Sequence, residues 1–345
     1  MQGPQNGQFL RFWKLTVYGS QSQPANGVVI TSNAIGSNGA EGLRMQFLIG
    51  QSDNETPNFA RIRVYNLSKE TRNRLLATNT NPTPDNQHPS AQNPNHNFTK
   101  VVLEAGYVTG NRGVIFLGDI LQFKFGNSRN VDSYLDIYAA SGDVAYNSSV
   151  VNVSFPAGTT LQQEMQYYAK RMGVPLSKQT DDFLQATGGI QVNMRTKVAY
   201  GLTRSFVREV SSELGCRWSI QNDQLVLVPD TSFLPGAAVA INSKTGMVGF
   251  PEVTDNGITV RCYLNPLIEI GQRIQINNAE LNQAVLVNNF FPKVAPTFFA
   301  STAADGIYRV MVAECSGDTR GNDWFSDLTC LAVDSSSGTV TNKGL

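Results

Sequence analysis

Most of the chain alternates apolar and polar side chains with a period of two residues, which is the pattern of half-buried β-strands. Within residues 60–67, for example, Ile62 and Val64 fall on one face and Arg61 and Arg63 fall on the other. Segments of this kind occur at 12–18, 43–49, 60–67, 100–107, 114–125, 133–140, 258–264, 273–276, 284–290 and 308–313. The pattern therefore predicts a mainly β protein.

The middle third of the chain changes to helical spacing. Apolar residues recur every three or four positions in Leu161–Met172 and again in Ser205–Leu214, after which Gly215 provides a C-cap. A hairpin over residues 217–228 follows, with Asn222 and Asp223 at its turn. These elements predict a smaller α+β region inside the β protein.

Two segments interrupt the regular pattern. Ser68 is expected to cap a short helix that runs through Leu76. The following residues 79–97 are rich in Asn, Pro, Thr and Gln, which predicts a long exposed loop or a disordered insertion. The last residues, 334–345, are rich in Ser, Gly and Thr and are expected to form a flexible tail.

The two β regions contain a short internal repeat. The strand Tyr134–Ala140 leads into Ser141-Gly142-Asp143, and the strand Tyr308–Cys315 leads into Ser316-Gly317-Asp318. In both places two further strands come before, joined by a turn with Gly or Pro. This order predicts two copies of one β module.

The composition narrows the classes of function. The 345 residues carry 27 Lys and Arg against 27 Asp and Glu, so the formal net charge is zero and the basic excess typical of nucleic-acid-binding proteins is lacking. Only 16% of the residues are charged, compared with about 25% in ordinary domains, which favours a protein with much of its surface in contacts. The length predicts two or three domains.

Location follows from the termini, the apolar runs and the cysteines. No stretch approaches the roughly 20 apolar residues of a membrane span, and Met1–Asn6 shows no signal peptide pattern. Cys216, Cys262, Cys315 and Cys330 have no C-x-x-C spacing, so they are expected to be buried, reduced thiols. We expect synthesis in a reducing cytoplasm.

The sequence offers no convincing catalytic, cofactor or metal site. Both histidines, His88 and His96, lie in the polar insertion, where a triad or metal site would have little support. No H-E-x-x-H, G-x-S-x-G or P-loop pattern occurs, and Gly188-Gly189 and Gly271 lack the strand-turn-helix context of a phosphate loop. The tryptophans, Trp13, Trp218 and Trp324, are interpreted as packing residues.

Two carboxylate pairs are candidate sites. Asp181 and Asp182 are adjacent, and we interpret them as solvated residues of a loop rather than metal ligands. Glu164 and Glu209 lie on the two predicted helices and are expected on a wet face rather than in a glycosidase pair.

Several segments, taken in order, resemble the baseplate hub protein of contractile-tailed bacteriophages. The first module carries Phe59–Ser68 and Val114–Ile120, the latter followed by Asp132–Asp143. The second module carries residues 249–251, 255–258, 262–266 and 271–276, and the closing strand carries 321–325. The resemblance covers most of residues 9–330, and the insertion at 79–97 departs from it.

The resemblance implies a non-enzymatic structural protein of the virion tail baseplate. Such hubs are trimers that join the sixfold tail tube to the threefold central spike, and they line the channel through which genomic DNA is ejected. Each chain would carry two similar tube-type β-barrels, so that three chains present six. The implied partners are further copies of the chain, the tail tube protein, the central spike protein and the baseplate wedge proteins, with no membrane and no cofactor.

The expected domains are a first barrel module at 9–145, a helix-containing middle at 146–232, a second barrel module at 233–333 and the tail at 334–345. Three alternatives stay open. The chain could be a hub-like module of a contractile injection or secretion machine. A cell-wall hydrolase would need a carboxylate pair in a lysozyme-like helical domain, and a carbohydrate-binding module would need exposed aromatic residues on loops.

Overall fold

The computed structural model describes most of the chain. The described residues are 10–19, 27–31, 42–79, 99–128, 132–189, 192–254, 257–276, 306–334 and 339–340. The insertion expected at 79–97 lies outside these residues apart from Asn79, and so do His88, His96 and the strand expected at 284–290. Of the tail at 334–345, the structure describes only residue 334 and residues 339–340.

Strands make up 53% of the structure and helices 19%, which confirms a mainly β protein. The strands are β1 (Arg11–Gly19), β2 (Val28–Thr31), β3 (Met45–Ser52), β4 (Phe59–Tyr65), β5 (Thr99–Tyr107), β6 (Arg112–Ser128), β7 (Asp132–Ala140), β8 (Val150–Phe155), β9 (Lys197–Leu202), β10 (Cys216–Gln221), β11 (Gln224–Pro229), β12 (Val239–Ile241), β13 (Met247–Thr254), β14 (Gly257–Tyr263), β15 (Arg273–Ile276), β16 (Ile307–Asp318), β17 (Trp324–Asp334) and β18 (Thr339–Val340). The helices are α1 (Lys69–Asn79), α2 (Asp143–Ser148), α3 (Leu161–Met172), α4 (Lys178–Phe183) and α5 (Thr203–Glu213), and a π-helical turn covers Leu184–Gly188.

One large sheet contains 14 of these strands. Its main order is β13-β14-β17-β16-β3-β4-β7-β6-β5-β1-β2, with β15 and β12 attached through β16 and with β18 paired to β17. The early and late parts of the chain meet where β3 pairs with β16, from Ser52 opposite Val312 to Gln46 opposite Asp318. Among the described residues the sheet does not close into a barrel, so the two barrel modules stay a prediction.

The strand order is the same in the two halves of this sheet. One half reads β3-β4-β7-β6-β5, and the other reads β13-β14-β17-β16-β15. The long strand of each half also bulges opposite its neighbour, between Ile120 and Gln122 in β6 and between Val310 and Val312 in β16. These bulges put β6 in correspondence with β16 and β7 in correspondence with β17.

The predicted repeat therefore matches the wrong strands. It matches β7 with β16, whereas the strand order matches β7 with β17. The two Ser-Gly-Asp sequences also differ in structure. Gly142 adopts a left-handed φ of 65°, which turns the chain out of the sheet into α2, whereas Ser316–Asp318 are still paired within β16.

Three main hydrophobic clusters support the elements. The first lies under β1 to β7 and includes Trp13 and Trp324, the second holds Trp218 among the helices, and the third lies under β14 to β17. Trp13 is 1% exposed, Trp324 2% and Trp218 3%, which confirms the three tryptophans as packing residues. Burial of a large apolar side chain contributes about 1.5–3 kcal/mol.

The middle of the chain forms the predicted helices and hairpin. Helix α3 begins with a capping box between Thr160 and Gln163 and is capped after Met172 by Gly173, which has a left-handed φ of 71°. The turn between β10 and β11 has left-handed backbone at both Asn222 (φ 49°) and Asp223 (φ 58°), as a two-residue hairpin requires. Helix α1 runs to Asn79, three residues beyond its predicted end.

The four cysteines are free and buried, as predicted. Burial raises the pKa of each thiol, to about 12 for Cys216 and Cys262 and to about 11 for Cys315. A thiol with such a high pKa is a poor nucleophile, because the reactive form is the thiolate. The cysteines therefore act as small apolar core residues.

Candidate assembly surface of the sheet

Eight consecutive strands of the sheet, β13-β14-β17-β16-β3-β4-β7-β6, form a continuous antiparallel run with two different faces. Alternation places Ala60, Ile62 and Val64 of β4 in the core, so that Arg61 and Arg63 point to the opposite side. We call that opposite side the outer face. Directly opposed residues share a face, so the register extends it across the neighbouring strands.

The register aligns one row of polar, apolar and charged residues on this face across seven strands. The row contains Gln122, Tyr138, Arg61, Leu48, Ser316, Phe325 and Tyr263. Large apolar side chains are exposed here, with Leu48 at 45% and Tyr263 at 42%, and Phe59 of the next row is 52% exposed. Apolar groups gathered on one face are typical of a surface that contacts other molecules.

An arginine–aspartate pair links β4 to β7 on the outer face. Arg63 donates from Nε and Nη2 to the two carboxylate oxygens of Asp136, at 2.5 and 2.7 Å, and Arg61 approaches Oδ2 at 3.3 Å. Asp136 is 1% exposed. Burial acts to raise the pKa of Asp136, but the hydrogen bonds from Arg63 and Arg61 bring the pKa below its usual value, so the carboxylate is ionised at neutral pH.

The second half of the sheet carries the corresponding pair between β14 and β17. Arg261 donates to both oxygens of Asp327, at 2.6 and 2.9 Å. Arg261 lies directly opposite Asp327, as Arg63 lies directly opposite Asp136. The correspondence includes the next position, where Tyr65 contacts Tyr134 and Tyr263 contacts Phe325, at ring distances of 6.3 and 6.0 Å.

A third pair joins the two halves. Arg44 donates to Asp318 at the β3–β16 boundary, at 3.1 Å from Nε and 2.6 Å from Nη2, and Gln46 donates to the same carboxylate at 2.8 Å. Burial acts to raise the pKa of Asp318, but these hydrogen bonds and one from the Arg320 amide lower it to about 2. The pair therefore stays charged over the physiological range.

Aromatic rings cover the arginines of the outer face as well. The guanidinium carbons lie 4.0 to 5.6 Å from ring centroids, within the range of cation–π contacts. The contacts are Arg63 with Tyr134 at 4.0 Å, Arg44 with Tyr65 at 5.1 Å, Arg61 with Tyr138 at 5.6 Å and Arg261 with Phe325 at 5.6 Å.

Opposite charges nearly balance over this face. Within the described part of the chain, the ionisable side chains that the eight strands and the adjoining Arg44 place on this face, and that the middle region does not cover, are five cations and six anions. They are Arg44, Arg61, Arg63, Lys124, Arg261, Asp132, Asp136, Glu252, Glu314, Asp318 and Asp327. The face therefore carries close to no net charge, like the chain as a whole.

Both ends of the eight-stranded run are open. Strand β6 pairs with β5 through residues 112–119 and with β7 through residues 119–128, so its second half has a strand on one side only among the described residues. Strand β13 pairs with β14 and with no other described strand. Open edges present unpaired N–H and C=O groups that can pair with another chain.

The turn between β10 and β11 fastens the middle region to one end of the sheet. Asn222 accepts a hydrogen bond from the Leu117 amide at 3.1 Å, and Lys100 lies between Asp119, at 3.1 Å, and Asp223. Burial acts to lower the pKa of Lys100, but the two aspartates raise it above its usual value. The middle region is therefore held next to the outer face.

The expectation that Glu164 lies on a wet face is wrong. Glu164 is fully buried, and its carboxylate forms an ion pair with Lys197 at 3.0 Å, while Lys197 lies 3.3 Å from Glu209. The hydroxyl of Tyr168 also donates to Glu164, at 3.4 Å. One lysine neutralises the buried carboxylate, so the group holds α3 against β9 and is not a free acid–base pair.

The other candidate residues form no site. Asp181 and Asp182 lie in α4 rather than in a loop, because Ser177 caps a short helix there, and Asp181 accepts a hydrogen bond from Gln185 at 3.1 Å. Gly271 turns the chain before β15 with a φ of 84°. In the described part of the chain there is no group of three or more potential metal ligands, and no helix long and apolar enough to cross a membrane.

Sequence reasoning missed the repeated arginine–aspartate pairs, although a signal was present. Arg63-Val64-Tyr65 and Arg261-Cys262-Tyr263 share an Arg-x-Tyr pattern. Tyr134-Leu135-Asp136 and Phe325-Ser326-Asp327 share an aromatic-x-Asp pattern. The two patterns occur in the same order in each half.

Comparison with solved structures defines the class of fold. The structure is similar to the 43 kDa tail protein of prophage MuSo2 from Shewanella oneidensis, with a TM-score of 0.52, 6% identity and coverage of 93% of this chain and 98% of that chain. A tail protein from Neisseria meningitidis MC58 gives a TM-score of 0.49, with 8% identity and coverage of 93% and 96%. The E. coli c3393 protein, a component of the type VI secretion system, gives 0.48, with 10% identity and coverage of 88% and 77%. The first likeness shows the fold of a phage tail protein.

A family model described as baseplate hub gp41 matches residues 27–292, and a search of curated proteins gives no match. Because the family match covers well over half of the sequence, the chain belongs to the baseplate hub gp41 family. The resemblance inferred from the sequence is thereby confirmed. Membership implies a structural role in the tail baseplate.

Proposed function

We propose that the chain is the central hub of a phage tail baseplate, a homotrimer that joins a sixfold tail tube to a threefold spike. The observation that carries the proposal is the repeated strand order, β3-β4-β7-β6 and β13-β14-β17-β16, within one chain. Three copies of a doubled chain present six similar units to a sixfold partner and three identical units to a threefold partner. The tube protein, the spike protein and the wedge proteins are the proposed partners.

The open edges supply a way to close the ring. Within the chain, β16 of one half pairs with β3 of the other half. The equivalent contact between two chains joins the second half of β6, residues 121–128, to β13 of the neighbour. We propose that this pairing repeats the internal contact and completes the ring.

The proposed ring encloses a channel. Three runs of eight strands provide 24 strands. At about 4.8 Å between strands, they span about 115 Å of circumference and a diameter of about 37 Å, and more if the strands tilt. In this ring the outer face of each sheet, the side opposite its core, points towards the axis and lines the channel. The channel has room for the genomic DNA in transit, and both halves of each chain contribute to its wall.

The domain limits proposed for this assembly are those expected from the sequence. Residues 9–145 and 233–333 are the two tube-type modules, residues 146–232 are the middle region, and residues 334–345 are a tail. The second and third hydrophobic clusters support this division, whereas the first also includes Leu264, Cys315 and Trp324 of the second module. In the middle region, Val198 and Tyr200 of β9 are 68% and 76% exposed on one face of the β8–β9 pair, which supports a contact with spike or wedge proteins.

The proposed hub is not an enzyme, and it is synthesised in the host cytoplasm before it enters the tail. The buried Glu164, neutralised by Lys197, supports this view over a cell-wall hydrolase, which needs two carboxylates across an open cleft. Activity on purified cell walls should therefore be absent. Wall-degrading activity that Glu164→Gln abolishes would contradict the proposal.

Native mass spectrometry and light scattering test the ring. The wild-type chain should form a trimer, and Phe250→Lys, in the free edge strand β13, should be monomeric because a charged edge resists pairing. Phe59→Lys is the matched control, since both rings are 52% exposed but Phe59 lies inside the run. A wild-type monomer at micromolar concentration, or equal loss in both variants, would contradict the proposed edge contact.

A further inference from the structure

The arginines of the outer face share one arrangement in both halves of the sheet. Arg63 and Arg261 occupy corresponding positions, and each donates two hydrogen bonds to the aspartate directly opposite. We propose that these pairs keep the phosphates of a nucleic-acid duplex from adhering to the face. The inference rests on the proposed function, in which this face lines the channel.

The physical reason is the counterion principle of nucleic-acid binding. A protein gains affinity for a duplex when its cations replace the ions condensed on the phosphates. An arginine paired with a carboxylate keeps its own charge, but the pair as a whole has no net charge with which to attract a phosphate. Two of the five N–H donors on Arg63 and Arg261 are also held by aspartate, so a phosphate must compete with a bidentate partner.

The flat side of each guanidinium is restricted as well. Tyr134 covers Arg63 at 4.0 Å, and Phe325 covers Arg261 at 5.6 Å. Each arginine is therefore held by a carboxylate at its edge and by an aromatic ring on its face. Rigid pairing of this kind keeps the charge of the arginine next to that of the aspartate.

Two charged positions outside these pairs balance each other between the halves. Lys124 of β6 and Glu314 of β16 correspond to each other when the bulges are aligned, and their charges are opposite. Both are exposed. In a ring of three chains, six arginine–aspartate pairs would alternate with three lysines and three glutamates, so these residues together would add no net charge around the circumference.

The test frees the arginines without changing the shape of the side chains. The double variant Asp136→Asn with Asp327→Asn leaves Arg63 and Arg261 without an ionised partner. The control, Asp182→Asn with Glu213→Gln, makes the same change in net charge at exposed positions of the middle region. Affinity for a short fluorescent DNA duplex is measured by anisotropy between 50 and 200 mM salt.

The double variant should bind the duplex more tightly than the wild type and with a steeper salt dependence. Each freed arginine that contacts a phosphate adds about −0.9 to the slope of log affinity against log salt concentration. With two such arginines, the loss of affinity between 50 and 200 mM salt should be about tenfold larger than in the wild type. The control should follow the wild type. Equal gains in the double variant and the control, or no gain in the double variant, would overturn the proposal.

Folding and assembly are measured separately from DNA binding. Because Asp136 is nearly inaccessible, its replacement could affect folding, and Asp327→Asn alone provides a second variant at a partly exposed pair. This single variant should change the slope of log affinity against log salt concentration by about −0.9. The thermal midpoint and the native mass are recorded for each variant. A chain that binds DNA as expected but forms no trimer would contradict the proposed ring while leaving the role of the pairs supported.

Discussion

The ion pair between Arg44 and Asp318 allows a prediction with a definite pH dependence. Asp318 lies at the end of β16, where the two halves of the sheet meet, and it receives two hydrogen bonds from Arg44 and one from Gln46. The variant Asp318→Asn keeps the size of the side chain and removes its charge. It therefore weakens the link between β16 and β3 without opening a cavity.

The magnitude follows from the pKa. The folded protein lowers the pKa of Asp318 from 3.8 to about 2, and one pKa unit corresponds to 1.36 kcal/mol, which sets an upper value of about 2 kcal/mol. Arg44 is 39% exposed, so solvent screens part of the interaction. We expect Asp318→Asn to reduce the free energy of unfolding by about 1–2 kcal/mol at pH 7.

The pH dependence has a fixed sign. Because the pKa is lower in the folded state, the stabilisation is complete above the unfolded pKa and is lost as the pH falls through the folded pKa. The difference between wild type and Asp318→Asn should therefore be constant from pH 7 to about 5, fall to roughly half by pH 3 and vanish only below about pH 2.

Urea unfolding followed by circular dichroism at pH 7, 5 and 3 measures this difference. Asp182→Asn is the control, since Asp182 is exposed on α4 and its replacement should change the free energy of unfolding by less than about 0.5 kcal/mol. An effect of Asp318→Asn that is equal at pH 7 and pH 3 would refute the electrostatic reasoning. So would an effect no larger than that of Asp182→Asn.

Three further changes test other parts of the structure. Lys197→Met should lower the free energy of unfolding at pH 7 by about 3–5 kcal/mol, measured by urea unfolding, because it leaves the buried Glu164 carboxylate unpaired; a loss below 1 kcal/mol would contradict the buried pair. Gly142→Ala should cost at least about 1 kcal/mol, because φ is 65° and the new methyl group would lie 2.5 Å from Ile220; an unchanged thermal midpoint would speak against the turn. Thr160→Ala should cost about 1 kcal/mol through loss of the capping box, and Thr160→Ser should restore most of it in the same melting experiment.

The local elements are encoded close to where they form. Helix α3 begins and ends at the predicted residues because Thr160 caps its first turn and its apolar residues, such as Met165, repeat at helical spacing. The alternation in β4 correctly assigns Ile62 to the core and Arg61 to the opposite face. The hairpin turn at Asn222-Asp223 is likewise formed by residues that tolerate left-handed backbone.

The environment of single charged residues is less local. Glu164 occupies a helical position that looks solvent-facing in the sequence, and it is buried because Lys197, 33 positions later, arrives from β9 to neutralise it. The burial of Asp136 is equally hidden in the sequence, because its partner Arg63 lies in another strand. Charge compensation of this kind depends on pairs that only the folded chain brings together.

Periodicity, residue type and the order of short motifs are enough to predict the β character of the chain, its helical middle and the family to which it belongs. Only the folded chain shows which strands correspond, namely β7 with β17 rather than with β16, and that β3 joins β16 across more than 250 residues. The reason is physical. Alternation within a strand specifies which side chains face the core, whereas the partner along each edge is selected by hydrogen bonds and packing between segments that are distant in the chain.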